Sequence, residues 1–196
     1  YRLGVRAMEV GVAALDQMEL HGVCRPFLED LLRRTNETVN LAILDEEEAQ
    51  VIYLAKLEPP QSIRINTRLG ARRPAHSTAL GKALLAELAP ARLATILHAR
   101  PLARLTERTI VDPAELTRHL AESRARGYTV DDEEFEPGII CVASPVWDRH
   151  GSPLAAISVS APSFRTPVDR VAELGGLVRT AAREVSRRFG YPIGNG

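Results

Sequence analysis

The sequence has no excess of charge of either sign, few cysteines and no long apolar run. Its 25 lysines and arginines balance 25 aspartates and glutamates, so it lacks the positive field that draws proteins to nucleic-acid phosphates. Cys24 and Cys141 are the only cysteines, too few for a disulfide framework and without the paired spacing of a zinc site. No apolar run approaches the roughly 20 residues that cross a bilayer. These absences argue against a secreted disulfide-rich protein, a membrane protein and a DNA-binding module, and favour the reducing cytosol.

What the sequence does contain is the composition of an ordinary globular domain. Hydrophobic residues make up 45% and charged residues 26% of its 196 residues, a balance typical of one soluble domain with a substantial core. The first residue is Tyr1 rather than Met. We therefore expect that the chain was cut from a longer protein. The N-terminus also lacks a positive segment followed by an apolar one, so we expect no signal peptide.

Apolar residues recur at helical spacing in six segments, and alternate with polar residues in several others. Ser77 or Thr78 can cap the third helix, and Gly127 can end the fifth. The helices are predicted at 5–19, 26–34, 79–88, 90–98, 113–126 and 168–189, and residues 70–74 are predicted as turn and loop. The strands are predicted at 39–43, 51–54, 62–67, 128–131, 139–147 and 154–161.

Hairpins combined with helices that do not alternate regularly with strands indicate an α+β fold, an antiparallel sheet of about six strands with helices packed on it. If the last hairpin is centred between Arg149 and His150, Cys141 lies opposite Ser158, a pairing that a one-residue bulge would break. The period of two puts only small side chains on one face of this hairpin. They are Cys141, Ala143, Pro145, Ala156, Ser158 and Ser160, whereas the opposite face carries Val142, Val146, Ile157 and Val159.

The small-residue face allows two interpretations. Two hydroxyls and a thiol in an otherwise apolar cleft suit a small polar ligand, but small residues also let a helix or loop approach closely. A second candidate site is the helix start near Ser77, where the free amides of Ala79 and Leu80 could bind a carboxylate.

Other residues invite functional interpretations that the sequence leaves open or disfavours. Ile65 and Leu69 could form an apolar wall of a ligand pocket, or belong to the core. His76 with Cys141 suggests a hydrolase, but no nucleophile-elbow pattern supports one. The histidines show no paired metal-ligand spacing, and the arginine stripe on the last predicted helix is typical of a solvated face. We expect no catalytic residue, metal or cofactor.

Four stretches, in order and across nearly the whole chain, carry a resemblance to a known family. They are LGARRPAHSTALGKALL from Leu69, RGYTVDDEE from Arg126, GIICVASPV from Gly138 and AAISVS from Ala155. Together they resemble the IclR family of bacterial transcriptional regulators, and Tyr1 to Gly4 resembles the family's linker.

The resemblance implies a GAF-like effector-binding domain over residues 21–192, preceded by a linker helix at 1–20 and followed by a tail at 193–196. It also implies a winged helix-turn-helix upstream of this sequence, through which alone DNA would be bound. The expected protein is cytoplasmic, assembles with itself as a dimer or tetramer, and binds a small organic acid without a cofactor.

Within the family, backbone amides, an aspartate, a cysteine and two alternating serines hold a small acid. These positions fall here on Ala79, Leu80, Asp131, Cys141, Ser158 and Ser160. Asp131 would repel a carboxylate unless it accepts a ligand hydroxyl, bridges through water or takes up a proton. The alternatives are a GAF-like sensing module of another signalling protein and a Cys/His hydrolase, in which Cys141→Ala would abolish turnover.

Overall fold

The computed structural model describes residues 19–60 and 68–192. This part of the chain forms six strands, five α-helices and two short 3-10 turns, at Ala75–Ser77 and Ser163–Arg165. The strands are β1 (Thr38–Asp45), β2 (Gln50–Leu57), β3 (Arg72–Pro74), β4 (Thr129–Asp132), β5 (Ile139–Trp147) and β6 (Pro153–Pro162). The helices are α1 (Glu19–Thr35), α2 (Ala79–Leu85), α3 (Pro90–Ala99), α4 (Pro113–Arg126) and α5 (Val168–Arg188).

The six strands form one sheet in the order β3-β2-β1-β6-β5-β4, in which neighbouring strands are antiparallel. Helices α1 and α5 contact one face of the sheet, and α2, backed by α4, contacts the other. The predicted α+β architecture of about six strands with packed helices is confirmed. None of the helices in the described ranges is long and apolar enough to span a membrane.

The two faces of the β5–β6 hairpin differ as the alternation predicts. The branched residues Val142, Val146, Ile157 and Val159 are fully buried in the core shared with α1 and α5. Their burial removes apolar surface from water and ties the hairpin to these two helices. The small residues on the other face are thereby turned towards α2.

The register of this hairpin differs from the prediction. Cys141 lies opposite Ser160, not Ser158, because the turn is centred on His150 and the pairing shifts by one further residue between Val146 and Trp147. Val146 pairs with Ala155 and Trp147 with Pro153, which leaves Leu154 as an extra residue on β6. The displacement at Cys141 is two residues, the side-chain period of a strand. The predicted set of residues on each face is therefore correct although the predicted partners are wrong.

Three other predicted elements have different bounds. Residues 26–34 are part of the longer α1, which includes Pro26. Pro26 has no N–H group to donate to the Gly22 carbonyl one turn earlier. Both residues are exposed, so water can bind the Gly22 carbonyl oxygen instead. The predicted loop at 70–74 contains the short strand β3, whose Pro74 is tolerated because β3 lies at the sheet edge. Helix α2 ends at Leu85 rather than at residue 88.

Two predicted elements fall outside the described residues. They are the strand at 62–67 and, apart from its last residue, the helix at 5–19. Of the two predicted caps of α2, Thr78 is the one observed, since its hydroxyl accepts a hydrogen bond from the Gly81 amide at 3.2 Å.

Gly81 lets α2 fold closely against the turn that precedes it. A Cβ at this position would lie 2.2 Å from the Ala75 carbonyl oxygen, which is backbone. We expect Gly81→Ala to destabilise the chain by about 2 kcal/mol or more in urea denaturation, because backbone must move. The control is Gly176→Ala in α5, where nothing lies within 4 Å and replacement of glycine should stabilise by about 0.5–1 kcal/mol. Equal effects of the two changes would refute this account.

Candidate functional site

A small cavity, here called the Cys141 cavity, lies between the start of α2 and the small-residue face of the sheet. Six of the eight predicted ligand-binding residues line it, together with Tyr53, Thr78, Phe135, Glu136 and Ile139. The six are Ala79, Leu80, Asp131, Cys141, Ser158 and Ser160. The sheet face and the helix start, which periodicity and capping had indicated separately, therefore form the walls of one site.

The Cys141 cavity has a volume of about 20 Å³, which is room for about one water molecule. The segment between β4 and β5 forms one of its walls through Phe135 and Glu136. Positive φ angles at Glu133 (59°) and Gly138 (81°) turn the chain at the two ends of this segment. The size of the cavity therefore depends on where a connecting segment sits, as well as on the sheet.

The two remaining predicted residues are Ile65 and Leu69. Ile65 lies outside the described residues. The placement of Leu69 in a pocket wall is not supported, since Leu69 is 55% exposed and lies with α1 and β2 residues at a different depression. It lies in the turn that leads into β3, where the Gly70 amide donates to the Tyr53 carbonyl at 2.8 Å. The Tyr53 side chain supplies an apolar wall instead.

The small-residue face packs against α2 at one end and leaves the Cys141 cavity at the other. Ala143 and Ala156 are fully buried against a core that includes Ala79 and Ala83 of α2, so here small residues allow a close approach of the helix. The Thr129 hydroxyl adds a 2.7 Å hydrogen bond to the Ala79 carbonyl. At the other end, around Cys141 and the two serines, the helix does not fill the space.

A row of polar side chains crosses four strands beside this space. Cys141 on β5 is the register partner of Asp131 on β4 and of Ser160 on β6, and Ser158 is the partner of Asn40 on β1. Asn40 is 2% exposed, and its amide nitrogen lies 3.3 Å from both serine hydroxyl oxygens. Its Oδ1 is buried and has no hydrogen-bond partner within residues 19–60 and 68–192, which costs about 1–3 kcal/mol unless a ligand or water supplies a donor.

Sequence analysis missed Asn40 although a signal was present. In β1 the residues Thr38, Asn40 and Ala42 alternate with apolar ones, and an asparagine there is unusual because its amide must find partners. Such alternation is typical of a strand with one face exposed to solvent. Strand β1 is central in the sheet, however, and both of its faces are buried.

Asp131 can carry a proton near neutral pH. Burial raises its pKa to about 7, and the charge of Glu134 adds to this, while Lys82 acts in the opposite direction. Its Oδ1 accepts hydrogen bonds from the amides of Glu134 at 2.8 Å and Phe135 at 3.2 Å. Of the three ways in which Asp131 could tolerate a carboxylate, proton uptake is thus available at physiological pH.

A buried lysine, also missed from the sequence, ties the segment after β4 to α2. Lys82 is 0% exposed, and its Nζ forms an ion pair with Glu134 and a hydrogen bond to the Val130 carbonyl. His119 Nε2 lies 3.3 Å from the same nitrogen. Burial and the charge of Lys82 lower the pKa of His119 to about 4, so this imidazole is neutral at pH 7.

The hydrolase interpretation finds no support in the geometry. Burial raises the pKa of the Cys141 thiol, so it stays protonated and is a poor nucleophile. His76 Nε2 lies 3.0 Å from the Ala103 carbonyl, and His76 lines a different cavity. Within residues 19–60 and 68–192, no group of three or more His, Cys, Asp or Glu side chains is placed to hold a metal ion.

Comparison with known proteins gives one consistent result. The family model described as "Bacterial transcriptional regulator IclR C-terminal" matches residues 12–187. The acetate operon repressor of Salmonella typhimurium is 38% identical over 190 residues, which are 97% of this chain and 69% of that protein. The transcriptional repressor IclR of Escherichia coli is 36% identical over the same coverage of both chains.

Solved structures with the same fold include the IclR protein of Thermotoga maritima, with a TM-score of 0.91 and 35% identity over 96% of this chain and 75% of that one. Another is the inducer-binding domain of the PobR transcription factor from Acinetobacter, solved as a double mutant in complex with 3-hydroxybenzoic acid. It has a TM-score of 0.76 and 30% identity, over 84% of this chain and 96% of that one.

Proposed function

Because the chain belongs to the IclR family of bacterial transcriptional regulators and corresponds to their C-terminal effector-binding domain, we propose that its Cys141 cavity binds a small organic acid. The observation that carries this proposal is the convergence of six residues on one buried space. They include two serine hydroxyls, a protonatable aspartate and the first amides of a helix.

The chemistry of the cavity suits a compact carboxylate with an apolar body. Ser158 and Ser160 offer hydroxyl donors, and the amides of Ala79 and Leu80 have no acceptor within α2, since they belong to its first turn. Asp131 in its protonated form adds a further donor. Tyr53, Phe135 and Ile139 supply apolar walls. The acid bound by the PobR domain is consistent with this class of ligand.

Binding requires the cavity to grow, because room for about one water molecule cannot hold an organic acid. The segment between β4 and β5 makes no strand pairing, so its Phe135 and Glu136 can move while Lys82 still holds Glu134. Its position would then depend on the ligand, and the ligand can shift an equilibrium only by its differential affinity for the two arrangements. We propose that this change of arrangement takes place in a cytoplasmic dimer or tetramer, which contacts DNA through an upstream winged helix-turn-helix. In this proposal residues 1–20 form the linker helix and residues 193–196 the tail.

A thermal-shift screen with pyruvate, glyoxylate and 3-hydroxybenzoate tests the proposal. An acid at a hundred times its Kd stabilises the folded chain by about 2.7 kcal/mol, a Tm increase of about 5 °C or more for this size. The Ser158→Ala/Ser160→Ala variant should lose the increase. Ser144→Ala should keep it, since Ser144 is a buried serine on the opposite face of β5 that donates to the Gly127 carbonyl. If only uncharged compounds raise the Tm, the proposal that the cavity binds an organic acid is wrong.

The same proposal assigns no catalytic role to Cys141. The relatives are transcriptional regulators, and the thiol forms part of the cavity wall. Cys141→Ala should therefore alter the Kd for an acid in the screen. Turnover of an ester or amide by the wild-type chain that disappears in Cys141→Ala would restore the hydrolase alternative.

A further inference from the structure

We propose that Asn40 is a positioning residue that gives the Cys141 cavity its preference for a carboxylate over the matching uncharged amide. It acts through Ser158 and Ser160, whose hydroxyl protons it directs towards the ligand. This inference rests on the proposed function, because it concerns the ligand of the same cavity.

Asn40, Ser158 and Ser160 form one hydrogen-bonded group. The Asn40 amide nitrogen has two protons and no lone pair to offer, so it can only donate to the serine oxygens 3.3 Å away. Each hydroxyl oxygen then uses a lone pair on Asn40 and keeps its own proton for another acceptor, which for Ser160 is either the adjacent Cys141 sulfur or a ligand. Both serines line the cavity, and a carboxylate oxygen there is such an acceptor.

Little else holds the amide group of Asn40. Its Oδ1 is buried and has no partner among the described residues. The orientation of the amide is therefore coupled to the serines. If the amide turned by 180°, Oδ1 would accept both serine protons, and the cavity would present lone pairs in place of donors. A carboxylate bound to the serines stabilises the first orientation and opposes the second.

The position of Asn40 shields these hydrogen bonds from water. It lies on the central strand β1, at the register partner of Ser158, and is as buried as the serines themselves. Water therefore competes poorly for these hydrogen bonds, and the direction of the protons is set by the side chains. Asn40 is not itself among the residues that line the cavity.

The experiment compares the Kd values of two matched pairs, pyruvate with pyruvamide and 3-hydroxybenzoate with 3-hydroxybenzamide, by isothermal titration calorimetry. Asn40→Leu keeps the approximate volume but removes the donors, so the serine protons are no longer directed. We expect the ratio of the amide Kd to the acid Kd to fall roughly tenfold. In Asn40→Asp the carboxylate accepts both serine protons, and the ratio should fall further, with the amide binding at least as well as the acid.

Ser144→Ala is the matched control, because it removes a buried hydrogen bond from the same sheet without touching the cavity. It should lower the Tm and leave the ratio unchanged. If Asn40→Leu keeps the wild-type ratio, the role of Asn40 is refuted while the acid-binding proposal stands. If the leucine variant does not fold, the same conclusion follows from a wild-type ratio in Asn40→Asp. Failure of the wild-type chain to bind either acid refutes the acid-binding proposal and this inference with it.

Discussion

Replacement of Lys82 by methionine should destabilise the folded chain by about 3–5 kcal/mol, because it leaves a buried carboxylate without its cation. Lys82 is completely buried and pairs with Glu134, which is itself only 4% exposed. Denaturant unfolding at pH 7 measures the loss. The combined change Lys82→Met/Glu134→Gln should recover part of it, since residue 134 then carries no charge.

The loss should also depend on pH in a definite direction. Burial raises the pKa of the Glu134 carboxyl and Lys82 lowers it, so without the lysine the pKa rises further. An acid whose pKa is higher in the folded than in the unfolded chain stabilises at low pH and loses that contribution as pH rises through the folded value. Lys82→Met should therefore cost more at pH 8 than at pH 5. As a control, Arg187→Met removes an exposed ion pair with Glu184 and should have little effect. Similar losses for the two variants would contradict the buried-charge account.

The affinity for an acid ligand should rise about tenfold between pH 8 and pH 6, because a carboxylate binds best beside protonated Asp131, whose pKa is about 7. The charged or titratable groups around Asp131 are Lys82, Glu134, Cys141 and Tyr53. Burial raises the pKa of both Cys141 and Tyr53, so neither ionises in this pH range. His119, behind Lys82, is neutral throughout it.

Asp131→Asn should remove this pH dependence and bind the acid about tenfold more tightly than the wild type at pH 8. Its amide oxygen can still accept the Glu134 and Phe135 hydrogen bonds. The neighbouring Asp132→Asn loses the same charge at an exposed position paired with Arg108, and should leave the pH profile of binding unchanged. Titration of 3-hydroxybenzoate or pyruvate at pH 6, 7 and 8 tests both. An unchanged profile in Asp131→Asn would rule out proton uptake at this carboxyl.

Asp131 also affects the stability of the fold, in the direction expected of an acid whose pKa is raised by folding. Its contribution to the free energy of unfolding is fully present below its unfolded pKa of about 4. The contribution declines as pH rises through about 7, where the buried group must ionise. Ligand binding and stability should thus both favour the acidic side of neutrality.

Local pattern was enough to predict much of the fold. Alternation along β5 and β6 identified which residues face the core and which face α2, because it depends only on the two-residue period. Capping rules placed the start of α2 and the end of α4, where Gly127 adopts a φ of 83°. The motif resemblance identified the IclR family, which the family model and the relatives confirm.

The features that were missed depend on residues distant in the sequence. The partners of Asn40 lie 118 and 120 positions away, and Glu134 lies 52 positions from Lys82. No spacing rule connects such residues until the sheet order is known. The register of β5 and β6 depends on the extra residue at Leu154, which has no distinctive signature in a strand.

The alternation along β6 has an evolutionary consequence. Ser158 and Ser160 line the cavity, while Ile157 and Val159, their immediate neighbours, form the core on the other side of the sheet. Selection for a new ligand can therefore act on every second residue without touching the ones that maintain the fold. One strand thus carries two independently mutable sets of positions, and a lineage of such sensors can change what it recognises while its scaffold stays the same.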